Sequence, residues 1–179
     1  GPNGAIPVRF YYPTEESYKG RTDGTTKTPT IVYVHGGGWV LGNLETHDRI
    51  CRALAEKSEA IVVAVDYRLS PEAKFPSAVH EVAAVAKHLH ENAGQYGIDA
   101  DRMGMAGDSG GAHLNLAATL YLRQEVGDAS YIKALLLYYG CYGLIDSASR
   151  RLLGGAWDGL TEEDWPFYIG NYAEDPVAI

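Results

Sequence analysis

The sequence predicts an α/β protein with a mostly parallel sheet and helices on both faces. Three observations carry this. Short apolar, β-branched runs read as buried strands. They alternate with segments of helical periodicity, which is the pattern of a covered parallel sheet. Two of the strands stop at glycine clusters, Gly36-Gly37-Gly38 and Gly107-Asp108-Ser109-Gly110-Gly111.

Taken in order, Ile6 to Tyr12 alternates and is aromatic, so it reads as a strand. Lys19 to Pro29 is polar with Gly and Thr and reads as a loop. Thr30 to His35 is a buried strand. His47 to Ala55, with Ile50 and Leu54 four apart, is a helix, and Ala60 to Val65 is a second buried strand. Ser70-Pro71 reads as a capped helix start. Pro76 to Glu91 carries Val79, Val82, Ala86 and Leu89 at helical spacing. Arg102 to Ala106 is a short strand. Ala112 to Leu122 is nearly apolar all round, which marks a buried helix. Lys133 to Tyr138 is the last strand. Beyond Ser147 aromatic residues are scattered among charges, including Trp157, Trp165, Phe167 and Tyr168. Residues 1–146 therefore form the α/β part, and 147–179 a lid-like or cap-like helical segment.

Length and charge exclude several functions. A chain of 179 residues is one domain's worth. Its 15 basic and 23 acidic residues leave a net charge of −8, a poor match for nucleic acid or an anionic membrane surface. The longest apolar run, Ala134 to Ile145, is too short to span a bilayer. Cys51 and Cys141 lie far apart without CxxC spacing, which fits a reducing compartment and a cytoplasmic location. The opening Gly1-Pro2-Asn3-Gly4 is turn chemistry and not a natural start.

Gly107-Asp108-Ser109-Gly110-Gly111 matches G-x-S-x-G. Chance gives roughly 0.1 such matches in a chain this rich in glycine, so the context must carry the reading. That context is a strand before and a helix after, the setting in which a serine on a sharp turn acts as nucleophile. A Cβ at Gly107 or Gly111 would crowd the turn. The helix that starts at Gly110 aims its positive end at a developing anion. His35-Gly36-Gly37-Gly38-Trp39 ends an earlier strand. Consecutive glycines let backbone N–H groups face a ligand, as an oxyanion hole requires. A phosphate loop is disfavoured, because no Lys-Ser or Lys-Thr follows and GxGxxG spacing is missing.

HGGGW, then Asp66-Tyr67-Arg68-Leu69-Ser70-Pro71-Glu72, then GDSGG, resembles the hormone-sensitive-lipase family of α/β-hydrolase esterases. Leu41 to Arg49 and Arg150 to Thr161 are similar to the acetyl esterases of enteric bacteria within it. The resemblance implies an α/β-hydrolase fold and a serine carboxylesterase acting on short acyl esters, acetyl to butyryl. It implies Ser109 as nucleophile and the N–H groups of Gly37, Gly38 and Gly110 as oxyanion hole. Trp39 lines the acyl side, and His35 holds the glycine loop by hydrogen bonds. His35, Gly36, Gly107 and Gly111 are then structural parts of the motifs. The expected partner is a small-molecule ester, with no cofactor and no metal. No HExxH and no metal-spaced carboxylate pair occurs.

A triad needs a histidine base. His113 lies one helical turn beyond Ser109, below it, and reads as a packed, hydrogen-bonded core residue. His80, His88 and His90 belong to a flanking helix and are expected to face solvent. His47 opens a helix near the site entrance and, with Asp108, is counted as a substrate-pocket residue. Asp108 adjoins the nucleophile and cannot reach across a histidine, so it is not the triad acid. Arg68 and Glu72 are expected to form ion pairs that fix their turn.

In this hydrolase fold the order is Ser, then Asp or Glu, then His. The family places the acid and base after two further strands. The chain thus reads as the N-terminal two-thirds of a catalytic domain, lacking the C-terminal strands and part of the cap, and as inactive alone. A non-catalytic ligand-binding member, an amidase and a lactonase remain alternatives; oligomeric state is open.

Overall fold

The computed structural model describes residues 1–24, 26–143, 152, 160, 161 and 163–175. Five strands form one sheet: β1 (Val8–Tyr11), β2 (Thr28–Val34), β3 (Ile61–Val65), β4 (Ile98–Asp108) and β5 (Ile132–Tyr138). Their order is β1-β3-β2-β4-β5. β1 runs antiparallel to β3, and every other pairing is parallel. From β2 the chain steps to β3 on one side, then returns across β2 to β4 on the other. The carboxyl ends of β2 and β4 thus flank a topological switch point, where open α/β sheets bind ligands.

Helix α1 (Glu15–Asp23) occupies much of the stretch expected to be a loop. It has no apolar stripe to read. Its start is made by a reciprocal cap between Thr14 and Ser17, with Glu15 and Glu16 in the first turn, and Gly24 closes it in the left-handed region. α2 (Asp48–Ser58) covers one sheet face, and α3 (Ser77–Glu91) and α5 (Gly110–Tyr121) cover the other. The short α4 (Ala93–Tyr96) leads into β4, and a π-helical turn, Leu122–Val126, follows α5. α6 (Asp164–Tyr172) falls in the segment 147–179 expected to be lid-like or cap-like. Trp157 and most of the Arg150 to Thr161 stretch lie outside the described residues.

The two-residue period of the strands sorts the core. Val32, Val34, Ile61, Val63, Val65, Met103 and Met105 face α3 and α5. Tyr33, Val62, Ala64 and Ala106 face α2, where Cys51 and Ala55 meet them. Burial pushes the Cys51 thiol up to about 12, so it is an inert packing group. β5 pairs with β4 alone among the described residues, and Leu136 and Tyr138 are each 43% exposed. These two lie on the bare face, whereas Leu135 packs against the α5-side core.

Two turn readings are corrected. Ser70-Pro71 is a cis peptide in a turn, with Ser70 Oγ donating to the Ala73 carbonyl, and the helix starts only at Ser77. Arg68 pairs with Glu81 of α3 at 2.9 Å, not with Glu72, and its own N–H donates to the second Glu81 oxygen. Glu81 is 0% exposed on an otherwise apolar helix face. Stranding such a charge costs more than removing the pair. Arg68→Met is therefore expected to lower stability by about 3 kcal/mol, and Glu81→Leu, which removes the charge itself, by less. Urea unfolding midpoints of both variants measure the difference.

Candidate active site

The site is built where β2 and β4 end. Val34 pairs with Gly107, so the loop after β2 begins beside the turn after β4. Ser109 holds φ 49° and ψ −121°, a left-handed conformation that costs a non-glycine residue about 1–3 kcal/mol. Its N–H donates to the Tyr138 carbonyl of β5, and its carbonyl accepts from His113 N–H, which starts α5. The turn closes only without side chains at its flanks. A Cβ on Gly107 would meet the Val34 carbonyl at 2.5 Å and Gly111 at 2.9 Å. A Cβ on Gly111 would overlap the same carbonyl and sit 2.5 Å from that of His35. Strand β2, and not only the turn itself, thus makes both glycines necessary.

The glycine loop is held from several sides. Gly37 and Gly38 take φ 124° and 56°. The Gly37 carbonyl accepts from Val40 and Leu41 N–H at 3.1 and 2.9 Å, and the Gly36 carbonyl accepts from His35 Nδ1–H at 2.8 Å. Tyr67 donates to the His35 carbonyl at 2.9 Å and stacks on its ring at 4.4 Å. Burial lowers the His35 pKa, which keeps the ring neutral. Among the described residues none accepts from the N–H groups of Gly37, Gly38 or Gly110. For Gly110 this follows from its place in the first turn of α5.

The Asp108 carboxylate accepts from Tyr33 O–H at 2.7 Å and from Gly36 N–H at 3.1 Å, and lies 3.5 Å from His47 Nε2. Burial by itself raises its pKa. The bonds from His47, Tyr33 and Gly36 outweigh burial and hold it below the usual carboxylate range. Asp108 and His47, both expected to face substrate, are thus engaged with each other and with the loop. Burial, then Asp108, pushes the Tyr33 hydroxyl far above its ordinary value, so it stays a donor.

Trp39 departs from its expected place. At 2% exposure it is packed behind the site, against Gly110, stacked on Tyr172 at 4.4 Å and edge-on to His113 at 5.3 Å. Phe167 points out at 60% exposure, and Trp165 packs against the core. The α6 residues that reach the site are their helix neighbours. A Cβ on Gly38 would fall within the ring of Tyr168, and Tyr172 closes over Trp39 while its carbonyl accepts from Phe75 N–H at 2.8 Å. Sequence reasoning missed Tyr33, Tyr67, Tyr168 and Tyr172. Only Tyr67 carried a signal, its place in the motif between Asp66 and Glu72.

Of the histidines, no ring among the described residues hydrogen-bonds to Ser109 Oγ. His113 is packed as expected, but its Nδ1 has no partner among the described residues. His88 is exposed, whereas His80 and His90 are half-buried against Tyr121 and Tyr131. No described helix is long and apolar enough to cross a membrane.

A serine on a strained strand-to-helix turn beside a glycine loop, at the switch point of a parallel sheet, is the arrangement in which α/β hydrolases hold a nucleophile. Residues 31–178 match the family described as alpha/beta hydrolase fold, and the chain belongs to it. It is similar to solved structures of three esterases. An esterase of Pyrobaculum calidifontis is 35% identical with TM-score 0.88 over 99% of this chain and 56% of that one. A thermophilic and thermostable carboxylesterase cloned from a metagenomic library is 34% identical, with TM-score 0.86 over 98% and 57%. Carboxyl esterase 2 of the mycorrhizal fungus Tuber melanosporum is 27% identical, with TM-score 0.86 over 99% and 54%. The chain thus spans little more than half the length of these proteins.

Burial lowers the His113 pKa to about 4 from 6.5. The unfolded chain therefore binds a proton between these values that the folded chain excludes. Stability is full above about pH 6.5 and falls as the pH drops toward 4, by up to about 3 kcal/mol from this group. His35, shifted the same way, adds to the slope. In His113→Phe urea midpoints measured from pH 7 to 4 are expected to fall less steeply than in wild type.

Proposed function

We propose that this chain carries the nucleophile and the oxyanion hole of a serine carboxylesterase acting on short acyl esters, acetyl to butyryl. The observation that supports it most is the pairing of Val34 with Gly107, which sets the glycine-loop N–H groups beside a strained, half-buried Ser109. Ser109 Oγ attacks the acyl carbonyl carbon, and its proton passes to a histidine base. The oxyanion accepts from the N–H groups of Gly37, Gly38 and Gly110. Collapse expels the alcohol, which takes up the proton, and water repeats the sequence on the acyl-enzyme.

The base and the carboxylate that orients it are assigned to residues outside this chain. Two facts favour this: no described histidine reaches Ser109 Oγ, and the solved esterases are nearly twice as long. Short acyl chains are favoured by Tyr168 lying against Gly38 and by the likeness of Leu41 to Arg49 to acetyl esterases. The likeness to solved esterases speaks for esters over amides or lactones. The cysteine usage speaks for a cytoplasmic location.

Ser109→Ala in the full-length protein is expected to lower kcat on nitrophenyl acetate by roughly 10⁶-fold with unfolding unchanged. A variant keeping a tenth of the activity would overturn the assignment. Across nitrophenyl esters the rate is expected to peak from acetyl to butyryl and to be low for palmitoyl.

The 179 residues expressed alone are expected to be inactive and to self-associate through the open edge of β5. Esterase assay and light scattering read both. A monodisperse, fully active monomer would place the base among His35, His47, His80, His88, His90 and His113.

A further inference from the structure

An oxyanion hole works only when its donors are already in place as charge develops. The loop from Gly36 to Gly38 is the least suited backbone for this, because glycine has the most conformational freedom to lose. Both polar groups of Gly36 are held by side chains. The carbonyl is gripped by His35, the preceding residue, and the N–H by Asp108, the residue before the nucleophile. The second Asp108 oxygen packs directly against the Gly36 Cα, where a Cβ would strike it. The carboxylate thus lies flat along Gly36.

We propose that Asp108 is a positioning residue that sets the oxyanion loop against Ser109, with Tyr33 and His47 bracing its carboxylate. The link is short: Asp108 is bonded covalently to Ser109 and by hydrogen bond to the residue before Gly37. One side chain therefore fixes how far the donors stand from the nucleophile. Tyr33 enters from β2 and His47 from the start of α2, so the carboxylate cannot swing away from the loop. The His47 ring is itself seated 5.4 Å from that of His35 and 6.2 Å from that of Tyr33. The bracing also answers an electrostatic problem. A bare carboxylate behind the loop would oppose the oxyanion. Donation from Tyr33 and the neighbouring His47 spread its charge before that anion forms. The proposal rests on the esterase reading for its catalytic consequence, but the ordering of the loop stands apart from it.

The test uses the full-length protein with Asp108→Ala, Asp108→Asn and His47→Phe. Asp108→Ala is expected to lower kcat on nitrophenyl acetate about 100-fold, the scale of one lost oxyanion donor, with KM changed less than threefold. The inhibition constant of a boronic acid that mimics the tetrahedral intermediate rises in proportion. Hydrogen exchange of peptides spanning residues 36–38 quickens at least tenfold, while α5 peptides exchange as in wild type. Asp108→Asn keeps an oxygen for Gly36 N–H and restores most of kcat and of the protection. His47→Phe falls between wild type and Asp108→Ala. Unchanged kcat and unchanged exchange in Asp108→Ala overturn the proposal, as does an Asn variant no better than Ala. If Asp108→Ala does not fold, Asp108→Asn and His47→Phe decide. Wild-type kcat and loop exchange in both would overturn it; faster exchange confined to the loop in His47→Phe would support it. A wild-type protein that hydrolyses no nitrophenyl ester sinks the esterase reading instead, and loop exchange then decides the positioning role alone.

Discussion

The pairing of β2 with β4 is the constraint on which the rest depends. It is parallel, it brings Val34 opposite Gly107, and it ends both strands at the same level. Everything placed at the site follows from that alignment. A one-residue slip would reverse every side chain on β4 and remove Gly107 from the Val34 carbonyl. The core resists such a slip, since Met103 and Met105 on one face and Ala106 on the other are each at most 2% exposed.

The same alignment dictates small residues where backbone meets backbone. Gly107 and Gly111 lie against the end of β2, so the strained turn at Ser109 is pressed into the sheet and not suspended above it. Asn115, fully buried one turn further along α5, donates to the Ala106 carbonyl at 2.8 Å and ties the helix back to the strand that feeds it. Strain at one residue persists because its surroundings over-determine it.

Two buried carboxylates organise the polar parts of the fold. Glu81 fixes the turn after β3 through Arg68, and Asp108 meets the loop after β2. Each is surrounded by donors, as burial of a charge demands. Behind them, rings replace polar contacts. Trp39, His113, Tyr172 and Phe75 pack together, and this cluster docks α6 onto the α/β layer near Ser109. α6 thereby reaches the site through Tyr168 and Tyr172, a helix face different from the one that carries Phe167.

What the sequence determined by itself was the local chemistry: buried strands, the glycine turn around Ser109, the glycine loop after His35, and thus the fold class. These are legible because strand burial and turn sterics are written in consecutive residues. α1 escaped because caps hold it, not an apolar stripe. β4 ran longer than its apolar stretch because parallel pairing with β2 extends it back to Ile98. The partners of Asp108, the burial of Trp39 and the choice of Tyr168 over Phe167 were decided only by tertiary structure. Each depends on residues far apart in the chain, Tyr33 with Asp108, Trp39 with Tyr172, Gly38 with Tyr168, and on which side of a helix or strand faces its neighbour. No local pattern encodes that juxtaposition. It arises when the crossover from β3 to β4 closes the sheet around β2.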